Sequence, residues 1–121
     1  MLSVPQSVSV YLYLGRMDMR RGVNGLSAFA EGVLKADPFS GSLFVFFGHR
    51  RRTVKILYYD TNGFCLWYKR LEVDQFPKLR SRGEEPKNDE ALTITPEELA
   101  LLLKGLDFRE AHKAVRFEHT F

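Results

Sequence analysis

Residues 37–72, DPFSGSLFVFFGHRRRTVKILYYDTNGFCLWYKRLE, decide the fold. Leu43 to Phe47 is an unbroken apolar run, and so short a run suits a strand covered on both faces. Gly48-His49-Arg50-Arg51-Arg52 follows as a polar reversal. Thr53 to Tyr59 then alternates, with Val54, Ile56 and Tyr58 on one face and Lys55, Leu57 and Tyr59 on the other. Asp60-Thr61-Asn62-Gly63 contains an Asn-Gly pair, which supplies the positive φ of a tight hairpin turn. Phe64 to Arg70 returns as the partner strand, with Cys65, Trp67 and Lys69 facing away from Phe64, Leu66 and Tyr68. Three strands joined by short turns predict an antiparallel meander.

Outward from this unit, residues 8–14 (VSVYLYL) alternate and read as a strand ended by Gly15. Val23, Leu26, Phe29, Ala30, Val33 and Leu34 have the spacing of a half-buried helix. Asp18 is a candidate cap for it, and Pro38 stops it before Asp37. Residues 74–90 are polar, hold two prolines and lack periodicity, so they read as a long, mobile loop. Leu92-Thr93-Ile94 is a short strand. Thr95-Pro96-Glu97-Glu98 is a capping box opening a second helix, with Leu99, Leu102, Leu103 and Leu106 as its apolar face and Gly105 near its end. The expectation is an α+β fold: one domain over residues 1–108, a mainly antiparallel β-meander with two principal helices packed against it, and a C-terminal tail at 109–121.

The chain has 121 residues, long enough for one core. A single Cys65 rules out an intramolecular disulfide and any multi-cysteine metal site, and fits a reducing compartment. The apolar N-terminus lacks a basic n-region, and no run approaches the roughly 20 residues of a bilayer span, so a cytoplasmic protein with no membrane partner is expected. Net charge is only +3, but residues 16–55 carry 8 Lys/Arg against 3 Asp/Glu, and residues 84–110 carry 3 against 8. Such asymmetry marks either a nucleic-acid face or two surfaces that attract one another.

Enzyme templates fit poorly. His49, His112 and His119 are too scattered for a metal site. Asp18, Asp60 and Glu72 offer carboxylates, yet Asp60 reads as a turn residue and Asp18 as a cap. Gly22-Val23-Asn24-Gly25 has too few glycines for a dinucleotide loop and no lysine for a phosphate loop. No catalytic residue, metal or cofactor is expected.

The cations are more informative. A hairpin turning at 60–63 returns Lys69 and Arg70 beside residues 53–54, next to Arg50, Arg51, Arg52 and Lys55. Cations gathered at one end of a sheet suit phosphate contacts, and Tyr58, Tyr59, Trp67 and Tyr68 offer rings for stacking. The competing reading is a solvated sheet end with those rings in the core.

Several motifs, in order, resemble a known family across residues 10–109. They are Asp18-Met19-Arg20-Arg21-Gly22-Val23-Asn24-Gly25-Leu26, Asp37 through Phe46, Arg50-Arg51, Lys55 through Asp60, Gly63 through Glu72, and Leu92-Thr93 to Leu106-Asp107. The chain is similar to the small accessory protein, of the second-open-reading-frame or TnpB type, of IS66-type bacterial insertion sequences. The resemblance implies a protein encoded in a mobile element, needed alongside a separate transposase and without strand-transfer chemistry of its own. Phe76-Pro77 stands where that family often has Trp-Pro, and the tail beyond Arg109 is poorly matched. The expected role is non-catalytic: binding of transposon DNA through Arg50, Arg51, Arg52, Lys55, Lys69 and Arg70, assisted by Arg20 and Arg21. The alternative is an adaptor that docks transposase without touching DNA. An edge strand could also pair with a second copy as a homodimer.

Overall fold

A five-stranded sheet grows from the stretch 37–72. The computed structural model of the chain describes residues 4–78 and 91–106. Strand β1 (Val10–Arg16) leads to helix α1 (Val23–Gly32). Strands β2 (Leu43–Phe47), β3 (Thr53–Asp60) and β4 (Gly63–Arg70) follow, and strand β5 (Ala91–Ile94) precedes helix α2 (Pro96–Leu103). The strands lie in the order β4-β3-β2-β1-β5. β1 and β2 run parallel, joined through α1, whereas the other three pairings are antiparallel. The α+β fold is as expected, and the meander β2-β3-β4 is its larger part. The helical crossover makes the sheet mixed, since parallel neighbours cannot be joined by a hairpin.

Period-2 alternation divides the core into two layers. On one face Val10, Leu12, Val45, Phe47, Val54 and Ile56 pack with Leu99 and Leu102 of α2. On the other, Tyr13, Phe44, Phe46 and Leu57 pack with Leu26 and Ala30 of α1. All five residues of β2 are buried, as its unbroken apolar run predicted. Phe29 of α1 meets Tyr13 at 4.8 Å and Phe46 at 6.0 Å between ring centroids, both edge-on.

The helix ends follow local chemistry. Thr95 accepts from the Glu98 backbone N–H at 3.0 Å, while the Glu98 carboxylate accepts from the Thr95 N–H at 2.9 Å. Gly105, at φ 84°, closes α2 as Gly105 N–H donates to Leu102 O and Leu106 N–H to Leu101 O. The helix therefore stops at Leu103, and Leu106, expected on its apolar face, is exposed.

Three further local features differ from expectation. Asp18 does not cap α1, whose N-cap is Gly22; it accepts from the Arg20 backbone N–H at 2.9 Å and closes a turn ahead of the helix. The 60–63 hairpin forms, but its positive φ falls on Thr61 (51°) rather than on the Asn-Gly pair. Within the expected loop 74–90, Phe76 is only 1% exposed and packs on Phe47 at 5.2 Å. Residues 79–90 of that loop and the tail 109–121 lie outside the described residues.

Candidate nucleic-acid interface

The turn at His49–Arg51 joins β2 to β3 and places three arginines at one end of the sheet. Two consecutive residues hold left-handed backbone, Arg50 at φ 71° and Arg51 at φ 54°. Such geometry is disfavoured for a residue bearing a Cβ and persists only where its surroundings enforce it. Here the enforcement is visible: Gly48 N–H donates to Thr53 O at 3.0 Å and Arg51 N–H to Gly48 O at 3.1 Å. A Cβ on Gly48 would fall 2.2 Å from Thr53 Oγ1 and 2.7 Å from Met19 Cγ, so only glycine allows this approach. Arg50 and Arg52 are exposed, and neither side chain has a partner among the described residues.

The hairpin register returns Arg70 opposite Thr53 and Lys69 opposite Val54. Both thus lie at the expected end, but alternation sends them to opposite faces. Lys69 turns towards α2 and donates through Nζ to Leu103 O at 2.9 Å. Arg70 stays exposed and pairs with Glu72 at 3.0 Å.

The other expected cations are engaged as well. Lys55 Nζ donates to Met19 O at 2.7 Å and Arg21 O at 2.9 Å, tying residues 19–21 to the sheet. Arg51 donates through Nε to Phe76 O at 3.2 Å and through Nη2 to Gln75 Oε1 at 3.3 Å, fastening the chain after β4. Arg21 lies over the Phe29 ring at 5.8 Å. Arg20, 92% exposed, forks onto Asp18 at 2.7 Å, and that hydrogen bond lowers the Asp18 carboxyl pKa to about 2.

Of the eight expected residues, Arg50 and Arg52 remain unpartnered among the described residues; Arg20 and Arg70 keep exposed guanidiniums that share a carboxylate. Arg51, Lys55 and Lys69 hold the frame. Arg16 was not expected. It ends β1, is exposed, and lies beside the turn, its Nη1 3.2 Å from His49 Nδ1. A cation closing a strand was the available signal, but the meander alone does not say which strand end meets the turn.

The aromatic residues separate too. Trp67 packs against the α2-side core. Burial pushes the Tyr58 phenol pKa up, with Cys65 beside it across the β3–β4 pair. At the opposite, Asp60–Gly63 end of the hairpin, Phe39, Tyr59 and Phe64 form a cluster with ring centroids 5.1–5.2 Å apart. Phe39 there is 59% exposed.

Among the described residues there is no group of three or more His, Cys, Asp or Glu able to hold a metal ion. Asp60 and Glu72 lie at opposite ends of the β3–β4 hairpin. No described helix is long and apolar enough to cross a membrane.

A small α+β sheet with a cationic end and interlocked motifs at 18–26, 37–46 and 55–72 defines the class: an accessory protein of insertion sequences. The chain belongs to the IS66 Orf2-like family, which matches residues 8–113. It is similar to two uncharacterized proteins of Sinorhizobium fredii. It is 35% identical to y4hO over 96% of each chain, and 40% identical to y4jC over 76% of this chain and 74% of that one. No solved structure matches it. The family associates the chain with DNA transposition as an accessory protein.

Proposed function

We propose that the chain assists a separate transposase by binding duplex DNA of its element through the arginine turn, without catalysing strand transfer itself. The observation that carries this reading is the exposed pair Arg50 and Arg52, unpartnered among the described residues and held on a turn of left-handed backbone. Exposed Arg16 lies beside that turn, and Arg20 and Arg70 flank the α1 face as reserves that can exchange a carboxylate for a phosphate. The expected set contracts accordingly. Arg51, Lys55 and Lys69 act by holding the turn, residues 19–21 and α2 in place, and Arg16 joins the contact set.

A second reading has one observation in its favour. The Phe39, Tyr59 and Phe64 cluster is an exposed aromatic patch at the other end of the hairpin, and such patches mark protein contacts. In that reading the chain docks the transposase and touches no DNA. A gel-shift with the terminal repeats of the element, run with and without transposase, separates the two. A shift by this protein alone, abolished in Arg50→Ala/Arg52→Ala, supports the first. A shift that needs both proteins and survives that double substitution supports the adaptor.

A further inference from the structure

β1 and β2 leave register near their carboxyl ends. Leu12 lies opposite Val45 and Arg16 opposite Phe47, so four residues of β1 span what two of β2 span. Bulges of this kind re-aim side chains and recur next to functional sites. This one opens a crevice of about 60 Å³ between the strand ends, lined by Gly15, Arg16, Gly48, Arg51, Pro77 and Lys78 over an apolar floor. We propose that this crevice seats one phosphate group of a nucleic-acid strand.

Three features carry the assignment. The first is charge: Arg16, Arg51 and Lys78 all line the crevice, and no Asp or Glu is among its described lining residues. The second is preorganisation. Arg51 is half-buried and fixed by Phe76 O and Gln75 Oε1, contacts that use two of the five guanidinium donors. Its planar fork is thereby oriented before any anion arrives, which lowers the entropic cost of binding. The third is size and place. The space suits a tetrahedral oxyanion and is far below the roughly 300–1,000 Å³ of pockets that hold whole small molecules. It also lies outside the carboxyl ends of adjacent parallel strands, where open sheets with a helical crossover bind ligands. Arg16, held by His49 at the rim, closes the site from the solvent side.

The seat rests on the DNA-binding reading only for the source of its phosphate. Its test is an amide and guanidinium NMR titration of the whole chain with inorganic phosphate, against chloride at equal ionic strength. Saturable shifts are expected at the Gly15, Arg16 and Gly48 amides and the Arg51 Nε–H, with affinity about tenfold weaker in Arg16→Ala and partly restored in Arg16→Lys. No saturable shift, or equal affinity in Arg16→Ala, overturns the seat. Duplexes carrying a 5′-phosphate or a 5′-hydroxyl identify the source. Stronger perturbation by the phosphorylated duplex assigns a strand end, and equal perturbation assigns a backbone phosphodiester. If phosphate reaches these amides and neither duplex does, the nucleic-acid source is overturned. In Arg50→Ala/Arg52→Ala the phosphate shifts should persist even where duplex affinity falls, so the two readings fail separately.

Discussion

Lys69 Nζ donates to the carbonyl oxygen of Leu103 at 2.9 Å, so a cation on β4 closes the last turn of α2. The final carbonyls of a helix lack intrahelical donors and carry the negative end of its dipole, which makes an ammonium there stabilising. Lys69→Ala should lower the unfolding free energy by about 1–2 kcal/mol, from a charge-assisted bond and the dipole together. Urea unfolding measures the loss. Duplex affinity of the folded variant should stay at the wild-type value, because this cation faces the helix rather than the solvent.

Phe76 fills the α2-side core from a segment with no other buried residue between Val73 and Lys78. Phe76→Ala should cost about 3–5 kcal/mol, the range for removing a buried aromatic ring. The urea midpoint should fall with the slope unchanged. A cost near zero would mean that the ring does not anchor this segment.

The meander was legible because its signals are local. Strict alternation over 53–59 and 64–70 and the turn at 60–63 were enough to bring Arg70 opposite Thr53. Alternation also implied that Lys69 and Arg70 part to opposite faces, a step that gathering them at one sheet end overlooked. What a cation does once placed depends on groups distant in sequence. Lys55 binds carbonyls 34 and 36 positions away, and Lys69 one 34 positions away, and no pattern within their own strands encodes those partners. Phe76 was hidden for a related reason: one aromatic among polar residues and prolines has no periodicity to announce burial. Arg16 enters the site only because β1 runs parallel to β2, and a helical crossover reveals that where a hairpin count does not.

Arg50 carries a Cβ at φ 71°, where glycine would be unstrained. Arg50→Gly should stabilise the fold by about 1 kcal/mol, relief of left-handed strain less the added chain entropy. The same change should weaken duplex binding. Paired unfolding and binding measurements would read the opposition directly, and a variant that loses stability as well as affinity would contradict it.

Asp18 has a carboxyl pKa of about 2 against an ordinary 3.8, held down first by its side-chain hydrogen bond with Arg20. A folded pKa below the unfolded one contributes stability that is fully present above about pH 4. That contribution is lost as pH falls through the folded value near 2. Carbon-detected NMR titration should show Asp18 titrating near 2 in the wild type and close to the ordinary value in Arg20→Ala. Asp18→Asn should remove this component of the acid-induced loss of stability while leaving stability near neutral pH less dependent on the Arg20 pair.

The salt dependence of duplex binding tests the DNA-binding claim most directly. Each phosphate contact contributes about 0.9 to the slope of log affinity against log salt. Arg50→Ala/Arg52→Ala should therefore weaken binding and flatten that slope by about 1.8. Lys55→Ala and Lys69→Ala, compared as folded proteins, should leave the slope as it is in the wild type. Unchanged affinity and slope in the arginine double variant would contradict binding through this turn.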